Sequence, residues 1–490
     1  MRVPLLFVWP AAALLFGLSF ISPYLFWCFI PAFALLLYVI KKGRSYPEVF
    51  FCGWVIGSFQ YAGSFLWVWT TYPINWIPDV HVLIQLSAIG FYWTLTSSVM
   101  GIAAGLFAVS LKRFSRFSND LLVFAPSFWL ASELLKSLIF SIYTFGDGGF
   151  VSFGFSFGYI GYLLADYGAL LQMATVFGVY GLSFVCALIA TLVYLFFAHK
   201  FYRKKAYLIS ACILLALPFL ASFVYVRPYE KTSTEVFVVE AYFDKEFYAQ
   251  GDVAGIKQGS IKTAVAEALQ AGAQTIVMPE DVSIGHSFAT REELFEWISQ
   301  LAPDREVVIV DNAPATDSRG EQVIRTYIHD TRTETSYFLD KQYLVPQGEF
   351  MSAVHSYLLS LFVTPQEHEN ILGYTKARYG VIRNSAAIPE DLPGVLFCFE
   401  TAVPYAVKEA LQVRKSPFIA HSISHSWFTE PDSLESQLDQ MLRVHAVWNN
   451  VPIVSAGTMV ESHVYLPDGS IQKGETIKRG DYWSVKKFSL

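Results

Sequence analysis

Charge is what this sequence most lacks. Asp, Glu, Lys and Arg together make up 16% of its 490 residues, against 54% hydrophobic and 17% aromatic. That balance excludes an ordinary soluble enzyme along the whole length. The formal net charge of −6 offers no basic surface, so no nucleic-acid partner is expected. Cysteine is scarce as well. Cys28, Cys52, Cys186 and Cys212 lie in apolar runs, where a small buried hydrophobe is the plain reading. Cys398 stands alone in the polar half, which excludes a disulfide there and leaves an unpaired thiol to explain. No His/Cys cluster has zinc spacing and no glycine-rich loop has a phosphate-cradling pattern, so neither metal nor nucleotide cofactor is called for.

The shortage of charge is uneven. Seven apolar runs fill the first 226 residues, at about 5–21, 25–40, 48–71, 82–111, 121–141, 167–198 and 206–226. Most are near the roughly 20 residues that span a bilayer. The first lacks a convincing small-residue cleavage site and leads straight into the second, so it reads as a retained anchor rather than a secretory signal. Basic residues follow alternate runs: Lys41, Lys42 and Arg44; Lys112, Arg113 and Arg116; Lys200, Arg203, Lys204 and Lys205. The loops near 22–24, 72–81 and 142–166 have none. Because Lys and Arg accumulate in cytoplasmic loops, a cytoplasmic amino terminus and seven crossings put everything after Arg227 outside.

Past a polar linker at 227–234 the periodicity changes. Strands are expected at 235–241, 275–279, 306–312, 323–329, 335–340, 394–399, 417–422 and 451–457, with helices near 256–271, 291–302, 402–412 and 433–448. This alternation predicts one α/β domain over 235–490, a sheet core covered by helices. The apolar stretch 350–375 is too short to span a membrane; it reads either as an arm touching the membrane surface or as an extra helix packed on the domain. The final "KRGDYWSVKKFSL" is polar and is expected to stay outside, leaving the domain tethered at one end.

Glu280, Lys341 and Cys398 each sit at the end of an expected strand, where a rigid scaffold holds reactive groups. Together they form a coherent chemical set. A carboxylate takes the thiol proton, the thiolate attacks a carbonyl, and an ammonium stabilises the charge that develops. "MPED", "DKQYLVPQGEF" and "LFCFETAVP", in that order, resemble the Glu-Lys-Cys triad of the nitrilase, or carbon–nitrogen hydrolase, superfamily. "KQYLVPQGEF" with "CFE" is closer still to the apolipoprotein N-acyltransferase family, which resembles this chain along essentially its whole length; "WLASE" (129–133) and "FGVYGLSF" (177–184) are weaker matches in the apolar half. The resemblance implies a polytopic α-helical membrane domain followed by an α/β nitrilase-like αββα sandwich. It implies Cys398 as nucleophile, Glu280 as general base, Lys341 as electrostatic partner, and Glu349 and Glu400 as supporting acids. It further implies a phospholipid acyl donor, a diacylglyceryl-apolipoprotein acceptor, and a bacterial inner-membrane location with the catalytic domain on the periplasmic side.

Phe399, Trp427 and Glu133 are candidate substrate-binding positions. Glu133 and Lys136 are spaced to pair along one face of an apolar helix, and a structural ion pair competes with a headgroup-seating role. His421 and His425 compete for a base or ligand role, against which stands the base that Glu280 already supplies. The segment 145–159 reads as a lipid entrance or as an interfacial aromatic belt. Departures from the family pattern are Gln347 and Phe399, where Phe and Tyr are usual, and the segments "SHSWF" (424–428) and "VSAGTMVE" (454–461). They keep open a membrane-tethered amidase, or an acyltransferase with another acceptor; a catalytically silent scaffold is the remaining class.

Overall fold

The computed structural model describes residues 5–74, 81–115, 120–198, 234–250, 253–375, 388–412 and 416–490, with the single positions 209, 216, 220 and 377. The expected run at 206–226 and linker at 227–234 lie largely outside these residues, as do Arg116, Cys212 and the basic cluster at 200–205.

Among the described residues, four helical segments are long and apolar enough to cross a membrane: Pro23–Lys42, Val82–Phe114, Leu121–Tyr143 and Ala174–Ala198. The expected first run is a 14-residue helix, Leu5–Leu18. The run at 48–71 divides into the helix Tyr46–Ser64, started by a Ser45–Glu48 capping box, and a 3₁₀ segment Leu66–Thr71. Gly53 and Gly57 of that helix lie so close to the facing helix that an added Cβ would meet Ala108 at 2.7 Å and Ala104 at 2.5 Å, respectively. Small residues are how helices approach closely in lipid. At one end of the bundle Lys41 donates to the Ser115 carbonyl and Lys112 to that of Gly43, both at 2.7 Å, which gathers the basic loops together. The polar half docks at or beside the loops that have no basic residue, where Thr429 N–H donates to the Thr70 carbonyl and Ala353 N–H to that of Phe145, both at 2.8 Å.

The described residues of that half form twelve strands: β1 (Glu235–Ala241), β2 (Thr275–Val277), β3 (Val308–Thr316), β4 (Gln322–Asp330), β5 (Thr335–Asp340), β6 (Gly394–Phe397), β7 (Ile419–Ser424), β8 (Ile453–Thr458), β9 (His463–Tyr465), β10 (Ile471–Lys473), β11 (Glu475–Arg479) and β12 (Trp483–Ser489). They form two sheets, β11-β12-β1-β2-β3-β4-β5 and β6-β7-β8-β9-β10, joined through the pair Ala241 and Thr458. Val236, Val238, Val277, Val310 and Ile328 of the first sheet face Phe397, Ala420, Val454 and Val464 of the second. The other face of the first sheet, with Phe237, Val239, Ile276 and Ile309, is covered by the helices Ala254–Gln270 and Arg291–Leu301. Pro404–Gln412 and Asp432–Asn449 cover the second sheet over Leu396, Ile419 and Ile453. The result is the αββα sandwich.

All eight expected strands are present, but β9 to β12 were not anticipated. The closing segment is no loose polar end: β12 pairs antiparallel with β1 over seven residues. Its charge hides it in the sequence. Lys486 is buried inside the sandwich, where its ammonium meets Glu240 at 2.9 Å and Glu461 at 3.3 Å. The 350–375 stretch forms two short helices, Ala353–Ser360 and Pro365–Tyr374, with Tyr357, Leu361 and Phe362 exposed.

The two halves meet at Gly178, which interrupts the Ala174–Ala198 helix with φ +58°. A Cβ there would lie 2.1 Å from the Trp448 ring. Gly178→Ala is therefore expected to cost about 1–3 kcal/mol through backbone strain and overpacking. Thermal unfolding in detergent reads the loss, and Trp448→Ala should restore the steric part of it.

Candidate active site

The site is built where strands of both sheets end. Glu280 follows β2, and its carbonyl accepts from Thr458 Oγ1 at 2.8 Å, which ties it to the end of β8. Lys341 follows β5 directly, and its N–H donates to the Ile324 carbonyl of β4 at 2.8 Å. Cys398 follows β6 and opens the 3₁₀ turn Cys398–Ala402. Glu349 lies on the loop after Lys341, where Val345 N–H donates to its Oε2 at 2.8 Å. The left-handed residue of that loop is Gln347 (φ 62°), not the neighbouring Gly348.

These segments converge on one ammonium. Lys341 Nζ, with no solvent exposure, donates to Glu280 Oε1 at 2.9 Å and to Glu349 Oε1 at 2.6 Å. The two carboxylates hold Lys341 well above the ordinary lysine range against the opposing effect of burial. Burial pushes Glu280 up to about 8; Lys341 opposes, and Glu349 and Asp281 add to the rise. Glu349 is raised for the same first reason, burial. Burial and then the Glu280 charge raise the Cys398 thiol, while Lys341 and a backbone hydrogen bond with Ser424 oppose. Cys398 thus stands in the field of all three groups and is held as a thiol until its proton is taken. A carboxylate titrating near neutrality beside a fixed cation is suited to shuttling that proton.

Glu400 is buried and bonds to backbone N–H groups of both segments. Its Oε1 accepts from the N–H groups of Gln342 (2.9 Å) and Tyr343 (3.3 Å), and its Oε2 from that of Phe397 (3.3 Å). One carboxylate therefore staples the chain after Lys341 to the chain before Cys398. Phe399 turns to the membrane half and stacks on Phe155, with ring centroids 5.5 Å apart. Trp427 lines a cavity of about 680 Å³ together with Glu280, Asp281, Lys245 and Thr71.

Glu133 is not at this cavity. It is buried in the membrane half, where its Oε1 accepts from Ile160 N–H at 2.9 Å and from Trp129 Nε1 at 3.2 Å. Lys136 likewise bonds to backbone, at Phe157, rather than forming the expected ion pair with Glu133. His421 lies behind the Cys398 turn, against Thr401 Oγ1 (3.0 Å) and Ser455 Oγ (2.9 Å). Burial pushes it down to about 3, so it is neutral and braces the turn. His425 is directed toward Glu435 at 3.5 Å.

Sequence reasoning missed two supports. Asn312 Nδ2 donates to the Met278 carbonyl at 3.2 Å and to Ser422 Oγ at 2.9 Å, bridging the sheets beneath Glu280; a polar Asn inside the apolar strand "EVVIVDN" was its signal. Gln347, the departure from Phe, donates to Ser352 Oγ (2.9 Å), and its amide lies 2.8 Å from His355 Nδ1. His355 Nε2 in turn meets Tyr143 OH at 2.8 Å, so a polar chain joins the Glu349 loop to a membrane helix. Burial pushes His355 down to about 4, which keeps that chain neutral.

Residues 12–192 match the family profile described as the apolipoprotein N-acyltransferase N-terminal domain. The chain is similar to the apolipoprotein N-acyltransferase of Rickettsia typhi, 21% identical over 487 residues covering 96% of this chain and 88% of the relative. It is 25% identical over 466 residues to that of Geobacter metallireducens, covering 91% and 82%. Among solved structures, an amidase from Nesterenkonia sp. aligns with 53% of this chain and 92% of its own at 15% identity, with a TM-score of 0.33.

Alkylation of Cys398 by iodoacetamide in solubilised protein should rise about tenfold per pH unit toward the Glu280 value of about 8, then level off. The sign follows from the chemistry, because only the ionised carboxylate accepts the thiol proton. Glu280→Gln should remove this limb; superimposable pH profiles for the two proteins would exclude Glu280 as the base.

Proposed function

Because this chain belongs to the apolipoprotein N-acyltransferase family, we propose that it moves an acyl chain from a membrane phospholipid, through a thioester on Cys398, to the amino group of a lipoprotein's diacylglyceryl-cysteine. The observation that carries this reading is the Lys341 ammonium, buried between Glu280 and Glu349 and in the field of the Cys398 thiol. Glu280 also lines a cavity whose wall includes Thr71 and Pro73 of the membrane half.

In the first step Glu280 takes the thiol proton as sulfur attacks the donor's ester carbonyl. Lys341 offsets the oxyanion charge, an electrostatic contribution that is large in a dry site. The ester C–O bond then breaks, the glyceryl oxygen takes the proton back from Glu280, and lysophospholipid leaves. In the second step the acceptor amine attacks the thioester and gives its proton to Glu280. Sulfur leaves and recovers that proton, and the amide is complete. Glu349 keeps Lys341 charged and in place, and Glu400 holds the segments that carry Lys341 and Cys398.

Substrates of this class favour a site next to the bilayer, since each CH₂ lifted into water costs about 0.8 kcal/mol. The proposed layout is a membrane domain over 1–226 with seven crossings, a linker at 227–234 and an outward-facing catalytic domain over 235–490, with the membrane being the bacterial inner membrane. Its support is the gathering of Lys41 and Lys112 at one end of the bundle, while Thr70 and Phe145, in or beside loops without basic residues, hydrogen-bond to the catalytic half. Trp427 lines the cavity, and the exposed Tyr357, Leu361 and Phe362 of the 350–375 stretch offer an apolar surface suited to contact with lipid.

Intact-mass spectrometry after incubation with phospholipid should show a hydroxylamine-labile acyl adduct on the wild type and none on Cys398→Ala. Hydrolysis of small amides with no adduct from any phospholipid would instead mark a membrane-tethered amidase.

A further inference from the structure

Residues 155–159 form a stretch of irregular backbone that leads into the 3₁₀ turn Ile160–Leu164, all of it buried in the membrane half. Such backbone is tolerated at membrane depth only where other groups satisfy its N–H and C=O groups. Here five helical side chains do so. Gln60 donates to the Gly158 carbonyl at 3.0 Å and Lys136 to that of Phe157 at 2.7 Å. Ser137 donates to the Phe155 carbonyl, Glu133 accepts from Ile160 N–H at 2.9 Å, and Ser183 accepts from Gly161 N–H at 3.0 Å. Lys136 is fully buried, and its ammonium also lies 4.2 Å from the centre of the Tyr159 ring. An ionisable group so deep in an apolar helix is costly, which asks for a function.

The outer side of the same stretch touches the nucleophile's turn. Phe155 stacks on Phe399, the residue after Cys398. Ser156 donates to the Ala402 carbonyl, the last residue of that turn, through its N–H at 2.7 Å and its hydroxyl at 2.9 Å. Lys136 and Cys398 are thus joined by one short path: ammonium, carbonyls of 155 and 157, then Phe155 and Ser156, then the Cys398–Ala402 turn.

We propose that Lys136, with Glu133 and Ser137, is a positioning residue for Cys398, fixing the 155–160 backbone so that the membrane half sets where the thiol points. The proposal rests on the acyl-transfer reading for its consequence but not for its test. A small displacement of a reacting group costs on the order of 100-fold in rate. Lys136→Met leaves the carbonyls of 155 and 157 without their cation, and Ser156→Ala removes one of the two bonds to Ala402.

The test measures iodoacetamide alkylation of Cys398, which needs no acyl donor, and thioester formation from phospholipid, both on the monodisperse, folded fraction in detergent. Lys136→Met should slow both on the order of 100-fold and Ser156→Ala about tenfold. The double variant should be no slower than Lys136→Met alone, because both act on one path. Should Lys136→Met yield no folded protein, Ser156→Ala and Phe155→Leu carry the same comparison, and wild-type rates in both would overturn the proposal. Wild-type rates in folded Lys136→Met, or effects that simply multiply in the double variant, would overturn it as well. A wild type that alkylates normally but forms no thioester would count against the acyl-transfer reading and leave the positioning result legible from alkylation alone.

Discussion

A lysine ammonium cannot sit in a dry interior without counter-charge, and the geometry around Lys341 follows from that constraint. Taking one such ion out of water costs several kcal/mol even after relaxation, and removing one partner of a buried pair costs about 3–5 kcal/mol. Glu280 and Glu349 supply the counter-charge from separate segments, so the ends of β2 and β5 and the loop at 345–350 must converge. Glu400 then pins the Cys398 turn to the same assembly. With two carboxylates to one ammonium the cluster carries a surplus acid, and burial pushes Glu280 up to about 8, as the proposed proton transfer from Cys398 requires. On that proposal, stability and reactivity are two results of one desolvated charge.

The second dependence runs through the membrane half. Catalytic domain and helices share contacts through Trp448 on Gly178, Phe399 on Phe155, and the bonds from Lys245 to the carbonyls of Thr70 and Thr71. On the proposed function, a site assembled across that boundary receives acyl chains from the bilayer side while its charged centre stays dry, which suits two lipid-bearing substrates.

Much of this was legible in the sequence. Period-two runs marked eight strands, and the proposed reactive residues Glu280, Lys341 and Cys398 stand just past the ends of β2, β5 and β6. What escaped notice was carried by residues whose partners are far away in the chain. β12 was hidden because Lys486 interrupts its apolar pattern, and only Glu240 and Glu461 make that lysine admissible inside. The spacing of Glu133 and Lys136 put them on one helix face and suggested an ion pair; it could not reveal an irregular stretch twenty residues on whose N–H and C=O groups would claim both. Gln347 looked like a blemish in the motif, yet it is the left-handed residue of the turn and the first member of the chain to Tyr143. Local pattern reports elements well and reports long-range polar satisfaction poorly.

On the proposed function, the acyl group carried by Cys398 is destined for an amine. The most direct measurement isolates the acylated protein, mixes it with a diacylated lipopeptide bearing a free α-amino group, and follows by mass spectrometry both the loss of adduct and the mass gained by the peptide. The account expects acyl transfer to the peptide at least about tenfold faster than discharge by water, a barrier difference of about 1.4 kcal/mol. Loss of the adduct at the same rate with and without lipopeptide, with no mass gained by the peptide, would contradict it.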